Sequence, residues 1–193
     1  MYGRLPILLF AMAVHATDAL AEVQQSLNYT YYDVTLMARQ SLLSALNVAS
    51  PIRENSRIFH GYTRWNVHWH IRWQEHADGS CRTVSTKTDL TGDITLPRLA
   101  RSDDARSAAF DRYTSALMRH ETGHFDLGRR AARAVDQALS EMPPMKSCDA
   151  LYKSAGDRAG QILDHFREEE RQYDVTTGHG KTQGADADLL RGK

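Results

Sequence analysis

The sequence predicts an α+β fold, in which a small antiparallel sheet packs on one long helix and on a second, C-terminal helix. Two segments in which apolar residues recur at regular spacing support this prediction. Residues 62–75 place a large apolar side chain at every second position from Trp65 to Trp73, which is typical of a strand with one buried face. From residue 103 the apolar positions recur with the period of an α-helix, and this pattern continues as far as Pro143.

The chain before this strand predicts one further strand and one short helix. Residues 28–34 are rich in tyrosine and indicate a strand. Leucines at helical spacing predict a helix over residues 35–47, with Thr35 as its N-cap.

After residue 75, the pattern indicates that the sheet continues. The Asp-Gly pair within residues 76–80 predicts a turn. Residues 81–97 then predict one or two strands that end at Pro97.

Two helices are predicted in the second half of the chain. Ser102 is a favourable N-cap for a helix over residues 103–141, and Gly128 favours a kink or a break within it. The second helix is predicted over residues 149–172.

The ends of the chain differ from the single domain expected over residues 22–180. Residues 181–193 are small and polar, which predicts a disordered tail. Residues 1–21 have the layout of a secretory signal peptide, with cleavage after Ala21 or alternatively after Ala16.

The apolar run of the N-terminal segment is short. It covers residues 5–14, about half of the roughly 20 residues that a membrane span needs. We therefore expect a cleaved signal rather than a membrane anchor, no stable membrane span after cleavage, and a secreted or periplasmic protein.

The balance of charges bears on which partners the protein binds, and the two cysteines bear on the compartment in which it is found. Lysine plus arginine equals aspartate plus glutamate at 24 each, so no excess charge indicates binding to nucleic acid or to an anionic membrane. Cys81 and Cys148 are the two cysteines, and in an oxidising compartment they predict a disulfide. The alternative is a pair of free buried thiols. The sequence does not indicate an oligomeric state.

Residues 120–124, "HETGH", have the spacing of an H-E-x-x-H zinc motif. At 100° per residue, His120 and His124 lie within about 40° of each other on the apolar face of the predicted helix, so both imidazoles can reach one Zn²⁺. Glu121 points about 100° away, where it can act as a general base on a zinc-activated water. The alternative interpretation is two core histidines satisfied by hydrogen bonds.

A catalytic zinc site has three protein ligands, and the third one here must be distant in sequence. His179 is the first choice, because its neighbouring glycines let the backbone turn sharply. Asp174, Glu169 and His165 are the alternatives. His68 and His70 also have a metal spacing, although the polar face of an amphipathic strand explains them, and that face could line a groove for substrate bound as an added strand.

Several segments together resemble the predicted secreted zinc-dependent proteases of bacteria, a family catalogued mainly as a domain of unknown function. The resemblance covers residues 28–184 and rests on "HETGHFDLG", "YDVTTGHG", "YYDV" and "GYTRW" with a later Trp before a lone Cys. It marks His120, Glu121 and His124 as the zinc and base positions. It also marks a second motif, formed by Tyr173, Asp174, Thr176, His179 and Gly180, with Thr177 and Gly178 between its threonine and its histidine.

The motif and the resemblance predict an exported zinc metallopeptidase that acts on a peptide or protein substrate, with a zincin-like fold by analogy. Glu121 is the expected general base, and the metal and Tyr173 are expected to stabilise the oxyanion. Two alternatives remain open: a non-catalytic zinc-binding envelope module, and a zinc amidase acting on cell-wall peptides.

Overall fold

A computed structural model describes residues 23–37, 39–101 and 104–192; the predicted signal peptide and the predicted N-cap Ser102 lie outside these ranges. The described strands are β1 (Gln24–Thr35), β2 (Ile52–Glu54), β3 (Arg57–Phe59), β4 (Tyr62–Glu75) and β5 (Cys81–Arg101). The described helices are α1 (Leu42–Ala49), α2 (Asp104–Ser140) and α3 (Cys148–Thr177). Within these described ranges, no helix is both long and apolar enough to span a membrane.

The main sheet has three strands in the order β1-β5-β4, and a separate hairpin pairs β2 with β3. β4 runs antiparallel to β5, as expected, but β1 runs parallel to it. The sheet is therefore mixed, and the prediction of a purely antiparallel sheet is wrong. A parallel pair needs a long connection between its strands, and here α1, the β2–β3 hairpin and β4 all lie between β1 and β5.

The strand predicted over residues 62–75 is confirmed as β4, with the same bounds. β5 is a single strand that continues through Pro97, so the prediction that Pro97 ends it is wrong. Pairing with β4 stops at Thr95, and Pro97 lies opposite Tyr32 of β1 alone. A proline is tolerated there because its missing N–H is not needed by a second neighbouring strand.

Helix α1 begins later than its leucine pattern predicts. Thr35 is the last residue of β1, and the N-cap is Ser41, whose hydroxyl accepts a hydrogen bond from the Ser44 N–H at 3.2 Å. Val34 packs in the core as part of the strand. The prediction of a helix starting at Thr35 is therefore wrong, because strand pairing with β5 overrides local helix propensity.

Helix α2 continues through Gly123 and Gly128, so the break that Gly128 favours does not occur. Both glycines are sites of close packing. A Cβ on Gly128 would lie 2.7 Å from the Trp65 ring of β4, and a Cβ on Gly123 would lie 2.1 Å from the Tyr173 hydroxyl of α3. The absence of side chains thus lets α2 approach β4 on one side and α3 on another.

Replacing Gly123 with alanine is expected to destabilise the protein, although an alanine in a helix interior is normally better than glycine by about 1 kcal/mol. The added methyl group displaces Tyr173, and overpacking of this kind costs about 1–3 kcal/mol. Gly156 of α3 is the matched control, since a Cβ placed there would have no neighbouring atom within 4 Å. Thermal melting should show a lower midpoint for Gly123→Ala and an equal or higher one for Gly156→Ala; a rise for both would contradict this packing.

Cys81, at the start of β5, forms a disulfide with Cys148, at the start of α3, as predicted. Such a bond fits an extracellular or periplasmic protein. Helix α3 then continues five residues beyond its predicted end at residue 172, to Thr177, and Gly178 caps it in a left-handed conformation. This extension carries Tyr173 and Asp174 on the last turns of the helix.

The segment after α3 is ordered, in contrast to the predicted disordered tail. It forms two short 3₁₀ turns, Lys181–Gln183 and Ala187–Leu190. Ala185 and Leu190 are buried in the main core. The small, polar composition conceals these two apolar anchors, which is why sequence composition alone predicts disorder.

Candidate functional site

The candidate site is a cluster of His120 and His124 on α2 with Asp174 on the last turns of α3. Both histidines lie on the buried face of α2, as the helical period predicts, with 3% and 8% of their surface exposed. His120 Nε2 lies 3.3 Å from His124 Nε2, and Asp174 Oδ1 lies 3.2 Å and 3.1 Å from these two nitrogens. Three donor atoms thus form a nearly equilateral triangle.

The size of this triangle fits one tetrahedral metal ion. Ligand atoms at about 2.0–2.1 Å from a tetrahedral Zn²⁺ are about 3.3 Å apart, which matches the observed edges of 3.1–3.3 Å. Two imidazoles and one carboxylate are also a donor set that zinc accepts in catalytic sites. His120, His124 and Asp174 are therefore the residues that could hold a metal.

The other ring nitrogen of each histidine has its own partner. His120 Nδ1 donates to the Gln183 side-chain oxygen at 3.0 Å, and His124 Nδ1 lies 3.3 Å from the Glu170 carboxylate. These contacts orient both rings so that each Nε2 faces the same point. Hydrogen bonds of this type fix the tautomer of a metal-binding imidazole and raise its basicity.

Glu121 is buried beside the cluster, with 4% of its surface exposed. The Thr63 hydroxyl of β4 donates to its Oε2 at 2.7 Å. On the other side, Gly61 packs so closely that a Cβ there would lie 2.4 Å from Glu121 Oε1. The carboxylate is therefore held in one place by β4 and the loop before it.

A buried hydrogen-bond network anchors that loop. His60 Nε2 donates to the Asn47 side-chain oxygen of α1 at 2.9 Å, and His60 Nδ1 accepts from the Tyr113 hydroxyl of α2 at 2.7 Å. Burial lowers the pKa of His60 to about 4, so this histidine is neutral at physiological pH. It is a core histidine whose network fixes the position of Gly61 against Glu121.

The charges of the cluster depend on one another. Burial lowers the pKa of His124, but its hydrogen bonds to Asp174 and Glu170 outweigh burial and raise the pKa to about 9. Burial raises the pKa of Asp174, and hydrogen bonds from His120 and His124 outweigh it, so that the pKa lies well below its ordinary value. Because imidazole ligates metals in its neutral form, a metal held here would displace the proton of His124.

Burial raises the pKa of Glu121 above the ordinary glutamate value, although the Thr63 hydrogen bond and the two histidines act in the opposite direction. A carboxyl group with a raised pKa is a stronger base when ionised. The site therefore holds one acidic carboxylate, Asp174, next to one more basic carboxylate, Glu121.

His179, the first choice for the third ligand, lies beside the cluster rather than within its group of three. Its Nδ1 is 3.4 Å from Asp174 Oδ1, and its side chain is about half exposed. Its backbone has φ 53°, between two glycines that are also left-handed, Gly178 and Gly180. A non-glycine residue in this region carries strain, so the fold holds His179 near Asp174 at some cost.

The remaining predicted residues have other contacts. Tyr173 stacks on the His120 ring, with ring centroids 5.0 Å apart, and its hydroxyl donates to the His120 main-chain oxygen at 3.2 Å. Glu169 pairs with Arg130 and with His165, which is largely exposed. Glu169 and His165 are thus engaged with each other, apart from the group formed by His120, His124 and Asp174.

Three residues of the site are not among those predicted from the sequence: Thr63, Glu170 and Gln183. Glu170 stands in the run "REEERQ", which is typical of a solvated helix face. Thr63 is the second residue of an amphipathic strand, and Gln183 falls in a segment with the composition of a tail. For Thr63, the one available signal is the strand period, which places it on the helix-facing side with Trp65 and Val67.

The fold and the cluster define an α+β domain with a His-His-Asp site between two helices. Residues 29–180 match the model of a family described as bacterial proteins of unknown function (DUF922), and the chain belongs to this family. The matched range includes His120, Glu121, His124 and Asp174, whereas Gln183 lies three residues beyond its end. No curated protein and no solved structure matches the chain significantly.

Proposed function

We propose that the protein is an exported zinc metallopeptidase whose ligands are His120, His124 and Asp174. The observation that carries this proposal is the triangle of Nε2, Nε2 and Oδ1 atoms with edges of 3.1–3.3 Å. The disulfide between Cys81 and Cys148 supports export. By analogy, a motif-bearing helix packed on a small sheet is a zincin-like arrangement.

Each residue of the site has a distinct task in this proposal. Zn²⁺ bound there supplies Lewis acidity, which lowers the pKa of water and polarises a carbonyl group. Glu121 accepts a proton from the attacking water and delivers it to the leaving amine. Thr63 keeps the Glu121 carboxylate in position, and Gln183 and Glu170 keep the two imidazoles in position.

The proposal is tested by zinc content and cleavage together. We expect the mature chain to bind one equivalent of zinc by elemental analysis and to cleave casein or a broad peptide library. Chelation should abolish cleavage, and added zinc should restore it. A chain that binds no transition metal, and whose melting temperature does not change with chelator, contradicts the proposal.

A non-catalytic zinc-binding module is the second candidate, and the position of His179 is the observation that favours it. His179 Nδ1 lies 3.4 Å from Asp174 Oδ1, so a movement of this side chain toward the two imidazoles would bring a fourth protein donor to the metal, as in closed structural sites. The coordination number, measured by X-ray absorption, separates the candidates: four protein ligands favour the module, and three favour the peptidase. An amidase acting on cell-wall peptides would share the three-ligand site and differ in substrate.

Replacing Glu170 with glutamine is expected to weaken zinc binding by about 10–100-fold, because the neutral amide no longer supports the imidazole of His124. Glu168→Gln is the matched control, since this nearby carboxylate of α3 contacts Arg171 and Gln172 at the exposed surface. Competition with a chromophoric chelator measures both affinities. Equal affinities for the two variants would exclude Glu170 from a role in orienting His124.

A further inference from the structure

A cleft of about 260 Å³ lies between the first half of β4 and helix α3. Residues 62–68 of β4 form one wall, and Leu163, Arg167 and Glu170 of α3 contribute to the other. β4 pairs with β5 along one edge, and none of the described strands pairs with its other edge. An unpaired strand edge offers main-chain donors and acceptors to an extended peptide.

The cleft adjoins the candidate metal site through two of its lining residues. Thr63 donates to the Glu121 carboxylate at 2.7 Å, and the Glu170 carboxylate lies 3.3 Å from His124 Nδ1. A peptide lying along residues 62–68 would therefore be separated from Glu121 by Thr63 and from His124 by Glu170. This placement connects the cleft to the proposed hydrolytic chemistry.

The cleft is lined by two guanidinium groups, those of Arg64 and Arg167. The Arg64 side chain is exposed, and among the described residues it makes no hydrogen bond or ion pair, although Asp93 of β5 lies opposite it in the strand pairing. Arg167 adds a second guanidinium, which contacts Asp164 at 2.9 Å. The lining carboxylate, Glu170, is engaged by the Trp65 indole N–H at 2.9 Å and by His124. Arg64 is thus the charged residue lining the cleft whose side chain makes no ion pair with the described residues.

We propose that this cleft binds an extended peptide bearing an acidic side chain, which pairs with Arg64 while the peptide backbone pairs with the free edge of β4. The inference rests on the proposed peptidase function and names its substrate class. A carboxylate side chain forms a bidentate pair with a guanidinium. Since the pair forms at an exposed position, its contribution is modest and decreases with salt.

The test measures peptide binding separately from cleavage. The zinc-loaded full-length Glu121→Gln variant is titrated into two fluorescently labelled ten-residue peptides. One peptide has glutamate at alternate positions, and the other has glutamine at the same positions. We expect the acidic peptide to bind about fivefold more tightly at low salt. Introducing Arg64→Glu should remove or reverse this preference, and Arg64→Gln should reduce it. Zinc content and melting temperature of each variant confirm that the fold is intact.

Arg72→Glu is the matched control, because Arg72 is exposed on the same strand and the same sheet face but lies outside the cleft. Equal binding of both peptides, or an equal effect of Arg72→Glu and Arg64→Glu, would overturn the inference. Wild-type cleavage without preference for acidic peptides would leave the peptidase function standing and overturn the substrate class. Preferential binding of the acidic peptide without cleavage by wild type would support the cleft and contradict the peptidase function.

Discussion

Replacing Glu121 with glutamine should lower peptide hydrolysis by about 10²–10⁴-fold while zinc remains bound at one equivalent. Glutamine keeps the size of the side chain and can still contact the Thr63 hydroxyl, but it cannot accept a proton. Because Glu121 lies outside the triangle of donor atoms, the metal ligands are unchanged. Hydrolysis of a fluorogenic peptide and zinc content are measured on the same sample.

Asp126→Asn is the matched control for this variant. Asp126 is an exposed carboxylate on the same helix, and it pairs with Arg129, so its replacement should leave both activity and zinc content near wild type. Loss of zinc from Glu121→Gln would assign Glu121 to the ligands rather than to proton transfer. Unchanged hydrolysis would exclude it as the base.

Replacing Asp174 with alanine should weaken zinc binding more than any other single change in α3. It removes one of three donors, and the loss should exceed the roughly 10–100-fold effect of removing a residue that only orients a ligand. His179→Ala should stay within that smaller range, because His179 touches the cluster through Asp174. Competition titrations with a chelator of known affinity measure both losses.

His165→Ala is the control for these substitutions, since His165 lies on the exposed side of α3 and contacts Glu169. A larger loss for His179→Ala than for Asp174→Ala would make His179 the third ligand. In that case Asp174 would be the residue that orients it, and the assignment of the two residues would be exchanged.

Local periodicity predicts β4 and the buried face of the helix that carries the motif. The alternation from Trp65 to Ile71 identifies β4, and the helical period places His120 and His124 on the buried face of α2. Both patterns depend on neighbours within one element, where the side-chain direction is set by the backbone geometry. These predictions required no knowledge of the tertiary structure.

Local periodicity does not predict that Asp174 is the third residue of the cluster. Asp174 follows His124 by 50 positions, and its place depends on how the end of α3 packs against α2. The close approach at Gly123, where a side chain would collide with Tyr173, sets that packing. The parallel pairing of β1 with β5 is likewise a tertiary feature, which strand propensity does not determine.

The segment after α3 packs into the core, so it determines where a recombinant version of the domain can end. A fragment ending at residue 180, the limit of the family match, would lack the amide of Gln183 that supports the His120 ring. It would also lack Leu190, which closes the hydrophobic core. Recombinant versions should therefore retain at least residues 181–190, and affinity tags belong beyond Leu190.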